Sequence, residues 1–210
     1  MTKPMDEIKD RVAAVVVTYN RAEMLRQCLM SLQKQTMPCD ILVVDNASTD
    51  DTQALVQRAA QHDASIFYRN TGENLGGAGG FNFGMRWAVE AGYAFVWVMD
   101  DDCFPEPVAL EKLLDADRLL QGEYGWLSSV ALWTDGRECR MNRHKIKKNF
   151  DERIELLRDG ILLAEQATFV SLFLKAETIR AVGLPVKEFF IWGDDIEYTG
   201  ASRYGRKYRA

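Results

Sequence analysis

Histidine is almost missing from this chain: its 210 residues contain two, His62 and His144, both in polar segments, which argues against a catalytic triad built on imidazole. Four cysteines, Cys28, Cys39, Cys103 and Cys139, show no C-x-x-C spacing, so free thiols are expected rather than a metal knuckle or a disulfide framework. No apolar run reaches membrane-spanning length, and the polar opening "MTKPMDEIKDR" does not read as a signal peptide. A net charge of -5 speaks against general nucleic-acid binding. There is no internal repeat, no low-complexity tract and no clear linker. What remains is 47% hydrophobic and 27% charged residues, the composition of a soluble globular domain with ample material for a core.

The apolar residues fall into short runs. "VAAVVV" (12–17), "ILVV" (41–44), "IFYR" (66–69) and "AFVWVM" (94–99) read as strands buried on both faces. Between them, helices are expected at 22–35, at about 51–61, and near 81–91 after a glycine-rich loop, "NTGENLGGAGG". Another follows "DDDCFPEP", with Pro107 suited to its first turn. Strand and helix alternating in this way predict a parallel, doubly wound α/β sheet over 12–120. The second half is less regular. "GWLSSVAL" and "ATFVSLFLK" (167–175) are candidate strands, the latter antiparallel, and "AETIRAVGLP" is a short helix closed by Gly183. The polar stretch around 134–156 is expected to be a loop.

In a doubly wound sheet, ligands bind beyond the carboxyl ends of the strands. "TYNR", "DNASTD", "NLGGAGG" and "DDD" all occupy that position. Asp100, Asp101 and Asp102 directly follow a buried strand without an adjacent Lys or Arg, so they form either a solvated turn or a place for something positive. In extended backbone Asp100 and Asp102 share a face, which suits a hard cation such as Mn²⁺ or Mg²⁺ bridging to a diphosphate. Asp45 can accept from a ribose hydroxyl or a base N–H, or build its turn while Thr49 or Asp50 caps the next helix. The glycines Gly76, Gly77, Gly79 and Gly80 permit close backbone approach at a helix N-terminus, although they match neither G-x-x-x-x-G-K-[ST] nor G-x-G-x-x-G. In "FFIWGDDIEY", carboxylates screened from water by Phe189, Phe190 and Trp192 would be raised towards general-base pKa values, or would simply favour a helix N-terminus. Trp87, Trp97, Trp126 and Trp133 are expected in the core, and the basic runs "RHKIKK" (143–148) and "RYGRKYRA" are expected to be solvated faces or contacts for phosphates or an anionic membrane.

Taken in order, "VVVTYNR", "ILVVDNASTD", "NLGGAGGFNFG", "VWVMDDD" and "EFFIWGDDIEY" resemble the inverting GT-A-fold glycosyltransferases that use nucleotide-diphospho-sugars, in particular the galactofuranosyl- and rhamnosyltransferase branch. The resemblance covers residues 12 to about 200. It implies a Rossmann-like, mostly parallel sheet flanked by helices, with a nucleotide-sugar half at 12–120 and an acceptor half at 121–210. It also implies that Thr18, Asn20 and Arg21 border the nucleotide, with Arg21 near the diphosphate. Asp45 would contact base or ribose, and Asn74, Gly76 and Gly77 would line the pocket. Asp100 and Asp102 would hold Mn²⁺ or Mg²⁺, with Asp101 at the donor sugar. Asp195 would be the general base and Asp194 its rival, while Trp192 and Glu197 would meet the acceptor.

The implied reaction moves galactofuranose or rhamnose from a UDP- or dTDP-sugar to a glycan or lipid-linked acceptor. It would take place in the cytoplasm or peripherally at the inner face of the membrane, with no nucleic-acid partner. Family members usually continue well past the D-D-x-E motif and often supply a histidine there. This sequence stops at Ala210, 13 residues after Glu197, so a C-terminally truncated piece with an incomplete acceptor side is expected. A catalytically inactive donor-binding fragment and an NDP-sugar nucleotidyltransferase are the competing readings. "TYNRAEM" offers neither the glycine nor the lysine that the latter needs after strand one.

Overall fold

A computed structural model of the chain describes residues 11–200, so the basic tail "RYGRKYRA" and the polar opening lie outside the described residues. Four parallel strands, β1 (Val12–Thr18), β2 (Asp40–Asp45), β3 (Ile66–Asn70) and β4 (Phe95–Asp100), alternate with helices α1 (Ala22–Leu32), α2 (Thr52–His62), α3 (Gly76–Glu90) and α4 (Ala109–Leu119). The second half adds β5 (Leu127–Ser128), β6 (Lys145–Ile146), β7 (Ala164–Gln166), β8 (Leu172–Lys175), α5 (Ala176–Val182) and α6 (Asp194–Thr199). The central sheet runs β3-β2-β1-β4-β8-β5, and β8 enters antiparallel to β4. A separate two-stranded ribbon pairs β6 with β7. The fold is therefore α/β with a six-stranded central sheet, and the antiparallel entry of "SLFLK" agrees with the sequence.

The continuous apolar runs have a direct structural cause. Along β1, Ala13, Val15 and Val17 face α3, whereas Val12, Ala14 and Val16 face α1 and α4. Each face is covered, so neither side of the pleat can be polar. Trp97 fills the α1/α4 face together with Leu25, Leu29 and Leu110, and its indole N–H donates to Ser171 Oγ at 2.9 Å. Trp87, Trp97 and Trp126 are core residues, as expected. Trp133 is not: it is more than half exposed at the turn of a small hairpin, where its N–H donates to the Arg137 carbonyl.

The expected glycine-rich loop is instead the first turn of α3, which begins at Gly76. Gly80 and Gly84 lie on the sheet side of that helix, where an added Cβ would run into the methyls of Val17 and Val15. Their missing side chains let α3 lie directly on β1, so part of the glycine pattern serves helix-to-sheet packing and not a ligand. Pro107 lies in the turn ahead of α4, two residues before the helix starts. "GWLSSVAL" pairs over only two residues, and the polar stretch after it is drawn into short 3-10 turns at Arg140–Asn142 and Phe150–Asp159.

Candidate functional site

The strand order places the topological switch between β1 and β4, because β1 proceeds outward to β2 and β3 while β4 lies on its other side. Register levels the rim: Thr18 is opposite Asp45, Val17 opposite Asp100, and Asp45 opposite Asn70. The polar motifs therefore share one edge of the sheet. The crevice at the switch is bridged by the Thr18 hydroxyl, which donates to Asp101 Oδ2 at 2.7 Å.

The triple aspartate does not continue the pleat, because β4 ends at Asp100 and Asp101 and Asp102 lie in a turn closed by the Cys103 N–H on the Asp100 carbonyl at 3.2 Å. Asp101 turns inward and is 3% exposed, whereas the Asp102 side chain is half exposed. Arg21, reaching across from the start of α1, donates to Asp101 at 3.3 Å and to Asp102 at 2.9 Å. The absence of a neighbouring base in the sequence is thus partly made good in space by a residue about 80 positions away. One guanidinium is not enough for three acids. Asp100 is pushed up to about 7, first by burial and then by Asp102, Asp101 and Asp194. Asp101 is also raised, mainly by burial, and the two acids in turn hold the Arg21 guanidinium above its ordinary value.

The second acidic motif begins with Asp194, whose charge adds to the upward push on Asp100. It opens α6, is 5% exposed, and is raised to about 6 by burial and by Asp195 beside it. Asp195 is raised by burial as well but remains partly accessible, with its Oδ1 accepting from the Ile196 N–H at 2.7 Å. Of the three rings expected to screen these acids, Phe189 and Phe190 are partly covered, whereas Trp192 is 77% exposed. Glu197 stands one helical turn further along α6, where it is partly exposed.

Two loops brace this arrangement. Asn20 takes a left-handed φ of 53°, its N–H donates to Ser48 Oγ at 2.8 Å, and its Oδ1 accepts from the Thr49 N–H at 2.7 Å. Asp50 joins two helix starts, accepting from the Ala22 N–H of α1 and from the Thr52 N–H of α2, both at 3.1 Å. Asp50, and not Thr49, is therefore the capping group. Asp45 is fully buried, with its carboxylate accepting from the Ser48 N–H at 2.8 Å and the Tyr68 hydroxyl at 2.6 Å. The turn-building role is the one the geometry displays; direct contact with a ribose would require Tyr68 to yield.

At α3, Asn74 Oδ1 accepts from the Gly76 N–H at 2.9 Å, and Asn46 Nδ2 donates to the Gly76 carbonyl at 2.9 Å. The helix N-terminus is not open. The Phe190 carbonyl accepts from the Ala78 N–H at 3.1 Å and fills the space that a Cβ on Gly76 would occupy. Gly76 is held at φ +69°, which also favours glycine. The close backbone approach that the sequence signals is made here by the protein's own chain. No sequence signal announced the Phe190 contact. Phe190 itself sits at φ 62°, ψ -62°, with the Ile191 N–H bonded back to the Phe189 carbonyl at 2.7 Å, a strained γ-turn.

A hollow of about 550 Å³ opens beside the acids and is lined by Asn20, Arg21, Glu23, Met24, Asp50 and Asp102. Among the described residues no three His, Cys, Asp or Glu side chains converge to cage a metal by themselves. The donor set nevertheless fits a hard divalent cation that takes its other positions from phosphate oxygens and water: Asp100 and Asp102 offer oxygen ligands, and a single arginine leaves them under-compensated.

Residues 13–123 match the family described as Glycosyl transferase family 2. The chain belongs to that family. The galactofuranosyltransferase GlfT1 of Mycobacterium tuberculosis strain H37Rv is 31% identical over 196 residues, which are 90% of this chain and 63% of the relative. The undecaprenyl-phosphate mannosyltransferase of Micrococcus luteus is 38% identical over 110 residues, 51% of this chain and 44% of the relative. The chain thus spans under two thirds of the length of these relatives. Two solved structures show the fold. S. aureus TarS 1-349 superposes with a TM-score of 0.65 at 19% identity, over 90% of this chain and 54% of that one. The mannosyltransferase PcManGT from Pyrobaculum calidifontis, in complex with GDP-Man and Mn²⁺, gives 0.64 at 22% identity, over 96% and 54%. The fold of this family 2 chain is accordingly the GT-A arrangement of those glycosyltransferases.

Proposed function

We propose that the chain carries the donor-binding and catalytic face of an inverting glycosyltransferase that takes its sugar from a nucleoside-diphospho-sugar. The observation that carries this reading is the acidic turn behind β4 at the switch point, where Asp101 and Asp102 are bridged by Thr18 and Arg21 beside an open hollow. Galactofuranose is the favoured sugar, supported by the resemblance of the whole described chain to galactofuranosyltransferases, and rhamnose is the next choice. UDP or dTDP is the expected leaving nucleotide, and a glycan or lipid-linked molecule the acceptor. Residues 12–120 would serve the donor and the remainder the acceptor.

In this reading Asp100 and Asp102 would hold Mn²⁺ or Mg²⁺, which when bound supplies Lewis-acid stabilisation of the departing nucleoside diphosphate. Arg21, Thr18 and Asn20 border the diphosphate, and Asn74, Gly76 and Gly77 form the adjoining wall. Asp101, fixed by Thr18 and Arg21, supplies an acceptor for a donor-sugar hydroxyl at its mouth. Asp195, the more accessible of the α6 pair, removes the proton from the acceptor hydroxyl as that oxygen attacks the anomeric carbon. Asp194, almost wholly buried, occupies the first position of α6. Trp192 offers an exposed ring to the acceptor sugar, with Glu197 beside it.

A titration of UDP in the presence and absence of Mn²⁺ tests the donor side. Metal-dependent binding that disappears in Asp102→Ala is the expected result, and binding indifferent to metal removes the cation from the scheme. Hydrolysis of UDP-galactofuranose against dTDP-rhamnose then sorts the sugar. Among the described residues no helix is long and apolar enough to cross a membrane. Peripheral attachment through 143–148 would compete with ion pairs already made there, Arg143 to Glu138 at 2.6 Å, Lys145 to Glu165 at 3.0 Å and Lys147 to Glu152 at 2.8 Å. Binding to anionic vesicles that is unchanged when Arg143, Lys145, Lys147 and Lys148 are neutralised would exclude it.

A further inference from the structure

We infer that Arg21 is a built-in stand-in for the divalent cation, occupying Asp102 until a diphosphate draws it away and thereby making metal binding depend on the donor. The inference rests on the metal reading above and concerns its regulation. Arg21 Nη1 lies 2.9 Å from Asp102 Oδ2 and 3.3 Å from Asp101 Oδ1. The two acids are not equally held. Asp101 is anchored a second time by the Thr18 hydroxyl at 2.7 Å and is buried, so it stays where it is. Asp102 is half exposed and has Arg21 as its ion-pair partner among the described residues, so its carboxylate is the one open to exchange.

A guanidinium bonded to Asp102 repels a dication on the same carboxylate and takes up one of its oxygens, so the two compete for it. Arg21 is free to give way. Its side chain is 55% exposed and borders the open hollow, while its backbone is clamped through Asn20 to Ser48 and Thr49 and through Ala22 to Asp50. A planar guanidinium binds phosphate oxygens at two points at least as well as it binds a carboxylate. A diphosphate arriving in the hollow therefore supplies the guanidinium with a replacement partner and releases Asp102. By linkage, whatever diphosphate gains in the presence of metal, metal gains in the presence of diphosphate.

The test is Mn²⁺ binding followed by electron paramagnetic resonance, with and without UDP, on the wild-type chain, Arg21→Gln and Arg26→Gln. Arg26 sits on the next turn of α1 with its own partner Glu23 at 2.6 Å, so its removal deletes the same charge without touching Asp102. Arg21→Gln is expected to bind Mn²⁺ alone about two- to fivefold more tightly than wild type, the scale of one lost exposed ion pair. It should also lose most of the further tightening that UDP brings, while Arg26→Gln behaves as wild type. Thermal unfolding of the variants confirms that each is folded. Mn²⁺ affinity in Arg21→Gln equal to or below that of wild type overturns the inference while leaving metal-dependent UDP binding intact. An equal gain in Arg26→Gln overturns it too, since bulk charge would then be the cause. UDP binding to the wild type that ignores Mn²⁺ brings down the metal reading itself.

Discussion

The two halves of the sheet rim are built differently. Beyond β1, β2 and β4 the side chains are tied to one another: Thr18 to Asp101, Arg21 to Asp101 and Asp102, Asn20 to Thr49, Asp45 to Tyr68. Before α6 the chain instead leaves Phe189, Phe190, Ile191 and Trp192 exposed on a strained turn, and fastens them to α3 through one backbone hydrogen bond, Phe190 to Ala78. A donor with a fixed nucleotide and diphosphate suits a preorganised wall, whereas apolar rings left in water suit an acceptor that covers them on arrival. The difference teaches that rigidity here follows the ligand expected on each side.

Four substitutions probe that contrast, beginning with the chemistry. Asp195→Asn removes the proposed base, and kcat is expected to fall by about a hundred- to ten-thousandfold with the donor KM little changed. A variant that retains full turnover would pass the role to Asp194. The second substitution is at Asp194 itself. Its folded-state pKa, about 6 against the ordinary 3.8, lies above the unfolded value, so the folded chain holds this proton more tightly. Its contribution is therefore most favourable below about pH 4, falls away as pH rises towards 6, and is absent above that. Asp194→Asn should stabilise the protein by up to about 2 kcal/mol at pH 8 and by little at pH 4, read from denaturant midpoints at the two pH values. A pH-independent change would mean that the carboxyl is not strained by burial.

On the rigid side, Gly84→Ala drives a methyl into Val15 beneath α3. Overpacking of about 1–3 kcal/mol is set against a helix-propensity gain of about 1 kcal/mol. A net loss of up to about 2 kcal/mol is expected in urea unfolding. The smallest effect on stability belongs to Trp192→Ala, within about 0.5 kcal/mol because the ring is largely in water. Its acceptor KM should nevertheless rise several-fold while donor binding holds. A large drop in melting temperature for Trp192→Ala would erase the distinction between the two sides.

Much of the architecture could be read from residue pattern. Apolar runs without alternation at 12–17, 41–44 and 94–99 demand strands covered on both faces, and the polar motifs behind them had to lie at one edge of a parallel sheet. The misreadings have local causes. Glycines at 76–80 argued for a loop on propensity, but Gly80 lies against Val17 of the sheet and Gly76 against the Phe190 carbonyl, where a helix without a Cβ fits. Trp133 looked like core by residue type, yet it stands at the start of the hairpin turn 133–136 and is 58% exposed. "GWLSSVAL" had strand composition over eight residues, but β8 pairs with only two of them.

By itself the sequence determined which segments are buried, in which order they alternate, and that carboxylates follow β4 and begin α6, because periodicity and turn chemistry are local properties of the chain. Only the tertiary structure decided that Thr18 holds Asp101, that Arg21 claims Asp102, and that the Phe190 carbonyl stops the N-terminus of α3. Those pairings join residues far apart along the chain. They depend on strand order and on the way the second half folds back over the first, and no spacing between neighbouring residues encodes either.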